Sequence, residues 1–135
     1  MQPVRINQRG ADNSFLTDKK AEIRSGKGGV DDAENAEVVL HEYGHAVHHA
    51  QVPGLGSPVE AGSIGEAFGD HQAVTAGEHT AERHGWPLKA DVACVADWDS
   101  VTYSNAPHCL RRIDSDKTYA DRAGRGLVLH HGGLR

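Results

Sequence analysis

The side chains best placed to do chemistry together lie in Val38-Val39-Leu40-His41-Glu42-Tyr43-Gly44-His45-Ala46-Val47-His48. On a helix, His-Glu-x-x-His puts His41 and His45 one turn apart on one face, because each residue turns the helix by about 100° and lifts it about 1.5 Å. Two imidazoles so spaced can take adjacent corners of a zinc tetrahedron. Glu42, beside His41, comes close to the metal without needing to bind it, which suits a base that deprotonates a zinc-held water. Such a site needs a third protein ligand and keeps its fourth position open. Glu66, in Gly65-Glu66-Ala67-Phe68-Gly69-Asp70, follows His45 by 21 positions and is the candidate. Asp70 lies one turn beyond Glu66 on the same face, where it can accept the free ring N–H of a ligating histidine and fix its tautomer. Two plainer readings compete. With ten histidines in the chain, the motif can be a surface helix with scattered imidazoles, and Glu66 can be the last member of a Ser63-Ile64-Gly65-Glu66 capping box.

These side chains require two helices that face one another. Asp31-Asp32 provide an N-cap with acidic residues in the following turn, and the first helix is expected from about residue 33 to 51, stopped by Pro53-Gly54. A turn-rich connector, residues 52–62, leads to a second helix from Glu66 to about Thr75, with a third helical stretch at 78–84. Helices joined this way pack antiparallel, which would bring Glu66 over the two imidazoles. Residues 1–30 are polar and glycine-punctuated, with two short strand-like pieces, Asn13-Ser14-Phe15-Leu16 and Ala21-Glu22-Ile23-Arg24. Ser25-Gly26-Lys27-Gly28-Gly29 lacks the Lys-Ser/Thr ending of a phosphate loop and reads as a turn. Val92-Ala93-Cys94-Val95 fits strand or helix, residues 109–122 fit helix or extended loop, and the end is glycine-rich around Val128-Leu129-His130-His131. The expected class is α+β, mainly helical around the histidine-bearing helix, with a small, partial β-sheet.

At 135 residues the chain is a single domain at most. Leu, Ile, Val and Phe make up just under a fifth of it, so the core is thin and a metal that stabilises its own ligand frame would help. A net charge of −5 without Lys/Arg clusters gives no reason to expect a nucleic-acid or membrane-surface partner. No apolar run approaches the roughly 20 residues of a bilayer span, and Met1-Gln2-Pro3-Val4-Arg5 opens no signal-peptide stretch. Cys94 and Cys109 fit either a disulfide or two buried free thiols, and oligomeric state stays open.

Three segments together carry a resemblance. Gly28-Gly29-Val30-Asp31-Asp32-Ala33-Glu34, the His41-Glu42-Tyr43-Gly44-His45 motif and Gly65-Glu66-Ala67-Phe68-Gly69-Asp70 resemble the fungalysin relatives of thermolysin, which are zinc endopeptidases. The likeness extends to Cys109-Leu110-Arg111-Arg112-Ile113-Asp114 and the tail, covers roughly residues 10–133, and is most specific over 28–76. It implies a zincin-like fold in which His41, His45 and Glu66 bind Zn2+, Glu42 is the general base and Asp70 stands behind a ligand. It further implies that Asn13 holds the substrate backbone, that Arg111 lies near the substrate carbonyl, and that His130 stabilises the oxyanion, with His131 as the one-place alternative. The implied function is a zinc-dependent metalloendopeptidase, hydrolysing a peptide or protein substrate through a zinc-activated water, in a secreted setting.

Against that family, residues 1–135 read as a single, shortened or partial catalytic domain, without the apolar and aromatic segment and helical domain expected after Arg135 and without most of the N-terminal sheet. The alternative is therefore a catalytically impaired zinc-binding remnant or interaction domain. A third class, a structural metal domain unrelated to hydrolysis, has no need of Glu42 beside its ligand. His79-Thr80-Ala81-Glu82-Arg83-His84 is not an inverted zinc motif, because Arg83 separates Glu82 from His84.

Overall fold

The computed structural model describes residues 1–8, 10, 12–17, 19–55 and 59–118. Short polar side chains decide where its first helix starts. The Asp31 carboxylate accepts from the Ala33 amide at 3.1 Å and opens a single 3-10 turn, Asp32–Glu34. Asn35 then caps helix α1, Ala36–Gln51, accepting from the Glu37 and Val38 amides at 2.9 and 3.3 Å. The acidic pair thus serves the turn, and α1 begins later than the expected position near 33. Both caps satisfy amides that a helix end leaves without partners.

The second helix, α2, is one unbroken element, Val59–His84. It absorbs both helical stretches expected after the connector. Gly77 weakens a helix by about 1 kcal/mol but removes no backbone donor, so the helix runs through it. Ser63 is therefore an interior residue, its hydroxyl donating to the Val59 carbonyl at 2.9 Å, and Glu66 caps nothing.

Two small sheets flank the helices. Strands β1 (Val4–Arg5), β2 (Phe15–Thr17) and β3 (Glu22–Arg24) form a sheet in the order β1-β3-β2. β1 runs parallel to β3 with Val4 opposite Ile23, and β2 antiparallel with Leu16 opposite Ile23. Ile23 is buried, and the buried Glu22 is held by Arg5 at 2.7 Å and Arg24 at 2.9 Å. β4 (Cys94–Val95) pairs antiparallel with β5 (Arg111–Arg112), so each segment left open between helix and extended chain contributes a two-residue strand, and neither contains helix among its described residues. No described helix is long and apolar enough to cross a membrane.

The apolar core is small. Val74, Val95 and Ala96 are buried together, with Val38 and Leu110 packed against them. Polar ties share the work of joining elements: Glu37 of α1 accepts from the Ala96 amide at 2.6 Å and pairs with Lys89, whose ammonium also reaches the Cys94 carbonyl. A disulfide joins Cys94 to Cys109 across a separation of 15 residues. A loop of that size restricts the unfolded chain enough to stabilise by about 3 kcal/mol. Reduction, or replacement of both cysteines by serine, should lower stability by about that amount, read as a fall in Tm, and an unchanged Tm would remove the bridge from the frame.

Candidate metal centre

The two helices touch where each lacks a side chain. A Cβ on Gly44 would lie 2.9 Å from the Gly69 Cα, and one on Gly69 would lie 2.7 Å from His41 Nδ1. Mid-helix glycine costs roughly 0.5–1 kcal/mol relative to alanine, and here that cost permits the close approach. Gly69→Ala should push the His41 ring aside, weakening metal binding at least about tenfold and destabilising the fold by about 1–3 kcal/mol. Competition titration against a chromophoric chelator, together with melting curves, reads both effects.

At this crossing the rings of His41 and His45 stand edge to face, centroids 4.7 Å apart. Their Nε2 atoms converge on one carboxylate: His41 Nε2 is 3.4 Å from Glu66 Oε2, and His45 Nε2 is 3.4 Å from Glu66 Oε1. Behind His41, Nδ1 lies 2.8 Å from Asp70 Oδ1. Arg111, from β5, donates through Nε to Asp70 Oδ2 and through Nη2 to Asp70 Oδ1, both at 2.7 Å, and its Nη1 lies 3.2 Å from Glu66. An ionised Asp70 only accepts, so it keeps a proton on Nδ1 and leaves the Nε2 lone pair of neutral His41 facing His45 and Glu66. One donor atom from each of His41, Glu42 and His45 lies within 4.8 Å of the others, and the group is arranged to bind a metal ion. Glu42 Oε2 is buried with no hydrogen-bond partner among the described residues. Leaving such an atom unpaired costs about 1–3 kcal/mol, so its presence calls for a functional explanation.

Charge follows from this packing. Burial raises the Glu42 carboxyl above its ordinary range, against the pull of His45 and His41. Burial also works to raise Glu66 and Asp70, yet both lie lower than usual. Hydrogen bonds from His41 and His45 outweigh it at Glu66, and those from His41 and Arg111 outweigh it at Asp70. For His41 burial pulls downward, but the bonds to Asp70 and Glu66 prevail and lift it to about 9.

The metal-free protein therefore holds a proton where a cation would sit. The folded value lies above the ordinary 6.5, so the stability from this proton is complete below pH 6.5 and disappears as pH rises through about 9. A metal must displace it, so metal affinity should climb by about tenfold per pH unit toward pH 9 and then level. Competition titrations from pH 7 to about 10 check this, and a flat profile would contradict it.

The structure thus brings together His41, Glu42, His45, Glu66, Asp70 and Arg111. Asn13 stands at the head of β2, its carbonyl accepting from the Gly26 amide at 3.2 Å. His130 and His131 lie outside the described residues. Three of the other histidines are engaged elsewhere: His84 stacks on Trp86, His71 bonds Thr75, and the His48 ring lies by Phe68. Sequence reasoning overlooked Gly44 and Gly69, although a glycine in mid-helix beside each motif is itself a packing signal. It also overlooked Arg111's grip on Asp70 and Glu66, for which no local signal exists. No known protein family, curated protein or solved structure matches the chain. What the structure adds to the sequence motif is a His41, Glu42 and His45 group placed within metal-binding distance.

Proposed function

We propose that the chain is a zinc-dependent metalloendopeptidase, with His41, His45 and Glu66 as the metal-holding side chains and Glu42 as the general base. The observation that carries this reading is the buried Glu42 oxygen, without a partner among the described residues, beside two imidazole nitrogens that converge on a second carboxylate, Glu66. Two imidazoles and one carboxylate, with no thiolate, are the donor set of an open catalytic zinc site. When bound, zinc supplies a Lewis acid that polarises a peptide carbonyl and acidifies water.

The chain's own residues supply the rest. Glu42, with its proton affinity raised by burial, can take a proton on its carboxylate and pass it to the departing amine. Asp70 orients His41, and Arg111 together with His41 keeps Asp70 ionised while also pairing with Glu66. A purely structural site would have no use for Glu42.

The test is hydrolysis of an unbiased quenched-fluorescent peptide library by the full chain, before chelation, after chelation and after zinc is restored. Cleavage that disappears and returns supports the reading. Cleavage indifferent to chelator, or none at full zinc occupancy, contradicts it; the second result would mark a domain that holds metal without cutting.

A further inference from the structure

A second group of carboxylates lies outside the histidine site and is assembled from three separate segments. Asp12 comes from the approach to β2, Asp32 from the turn before α1, and Asp99 from a second 3-10 turn, Asp99–Thr102. One oxygen from each lies within 4.8 Å of the others. Asp32 and Asp99 are only 2% and 5% exposed. Each carboxylate has one oxygen met by a hydroxyl: Ser14 donates to Asp32 Oδ2 at 2.7 Å, Thr102 to Asp12 Oδ2 at 3.1 Å, and Tyr103 to Asp99 Oδ2. The other oxygen of Asp99, Oδ1, is buried with no partner among the described residues. No Lys, Arg or His among those residues forms an ion pair with any of the three.

Like charges gathered out of water demand a positive partner. Burial, only partly offset by the bond from Ser14, raises Asp32 to about 6, and repulsion from Asp99 and Asp12 adds to the rise. A proton on Asp32 can be shared with Asp99 but neutralises only one of the three charges. The donors are all oxygen, without nitrogen or sulfur, which selects a hard cation over zinc. Room for Asp12 is made by Gly29, where a Cβ would fall 2.3 Å from Asp12 Oδ2.

We propose that Asp12, Asp32 and Asp99 form a second cation site, separate from the histidine centre, that takes a calcium-class divalent ion. An ion there fastens the approach to β2, the turn that launches α1 and the segment following β4 to one point. In a chain with so small an apolar core, it stabilises the frame that carries His41 without touching it.

The test uses the zinc-loaded full chain with calcium alone, followed by Tm, and with terbium, whose luminescence Tyr103 is positioned to sensitise. Calcium should raise Tm by several degrees with saturation at one ion per chain. Asp12→Asn, at the exposed rim, should fold normally and shift the calcium midpoint at least tenfold upward, and Asp99→Asn should abolish the response. Magnesium, which requires a near-octahedral shell and keeps its waters, should act far more weakly. The proposal is overturned if Tm does not respond to calcium up to about 10 mM, beyond the range of weak natural sites, and terbium gives no sensitised luminescence that calcium displaces. It is equally overturned if both variants respond as the unaltered protein does.

Discussion

Glu42→Gln should keep its zinc and lose hydrolysis, kcat falling at least about a hundredfold with KM nearly unchanged. The amide has the shape of the carboxylate but cannot take a proton. Glu42 is buried, and His41, His45 and Glu66 converge without needing it as a ligand. The substitution therefore separates two roles that the motif places side by side. Metal analysis and steady-state kinetics on the same preparation read both. Loss of zinc would make Glu42 a ligand, and retained turnover would remove it as the base.

His41→Ala should weaken zinc binding by at least about a hundredfold and destabilise the fold by about 3–5 kcal/mol, as expected when one member of a buried charged network is removed. His41 meets Asp70 at 2.8 Å and Glu66 at 3.4 Å, so its loss strips a partner from the buried Asp70 and the half-buried Glu66 as well as a donor from the metal. His49→Ala, on the same helix but outside this network, should change neither quantity. Calorimetric melts and zinc competition titrations compare the two variants. Equal behaviour would mean that histidine number, rather than the His41 position, governs metal binding.

These outcomes depend on features that differ in how far they were legible in the amino-acid sequence. The register of His41 with His45, and of Glu66 with Asp70, follows from helical period alone, and the observed helices carry both pairs. The short strands around Leu16 and Ile23 were also legible, from β-branched and aromatic residues between turn formers. The start of α1 was not, because Asp31 and Asn35 are equally good caps and only the chain's path decides which one opens the helix. Nor was the length of α2, where a tolerated glycine resembled a boundary. Arg111 reaches Asp70 across 41 positions, and Asp12, Asp32 and Asp99 meet from three segments. Contacts of that kind arise from packing and leave no periodic trace.

The most direct measurement is zinc K-edge X-ray absorption on the zinc-loaded full chain. The shell should contain nitrogen and oxygen only, with outer-shell scattering from two imidazoles that falls to one in His45→Ala. Sulfur in the shell, a single imidazole in the unaltered chain, or a spectrum that His45→Ala leaves unchanged would contradict this ligand set.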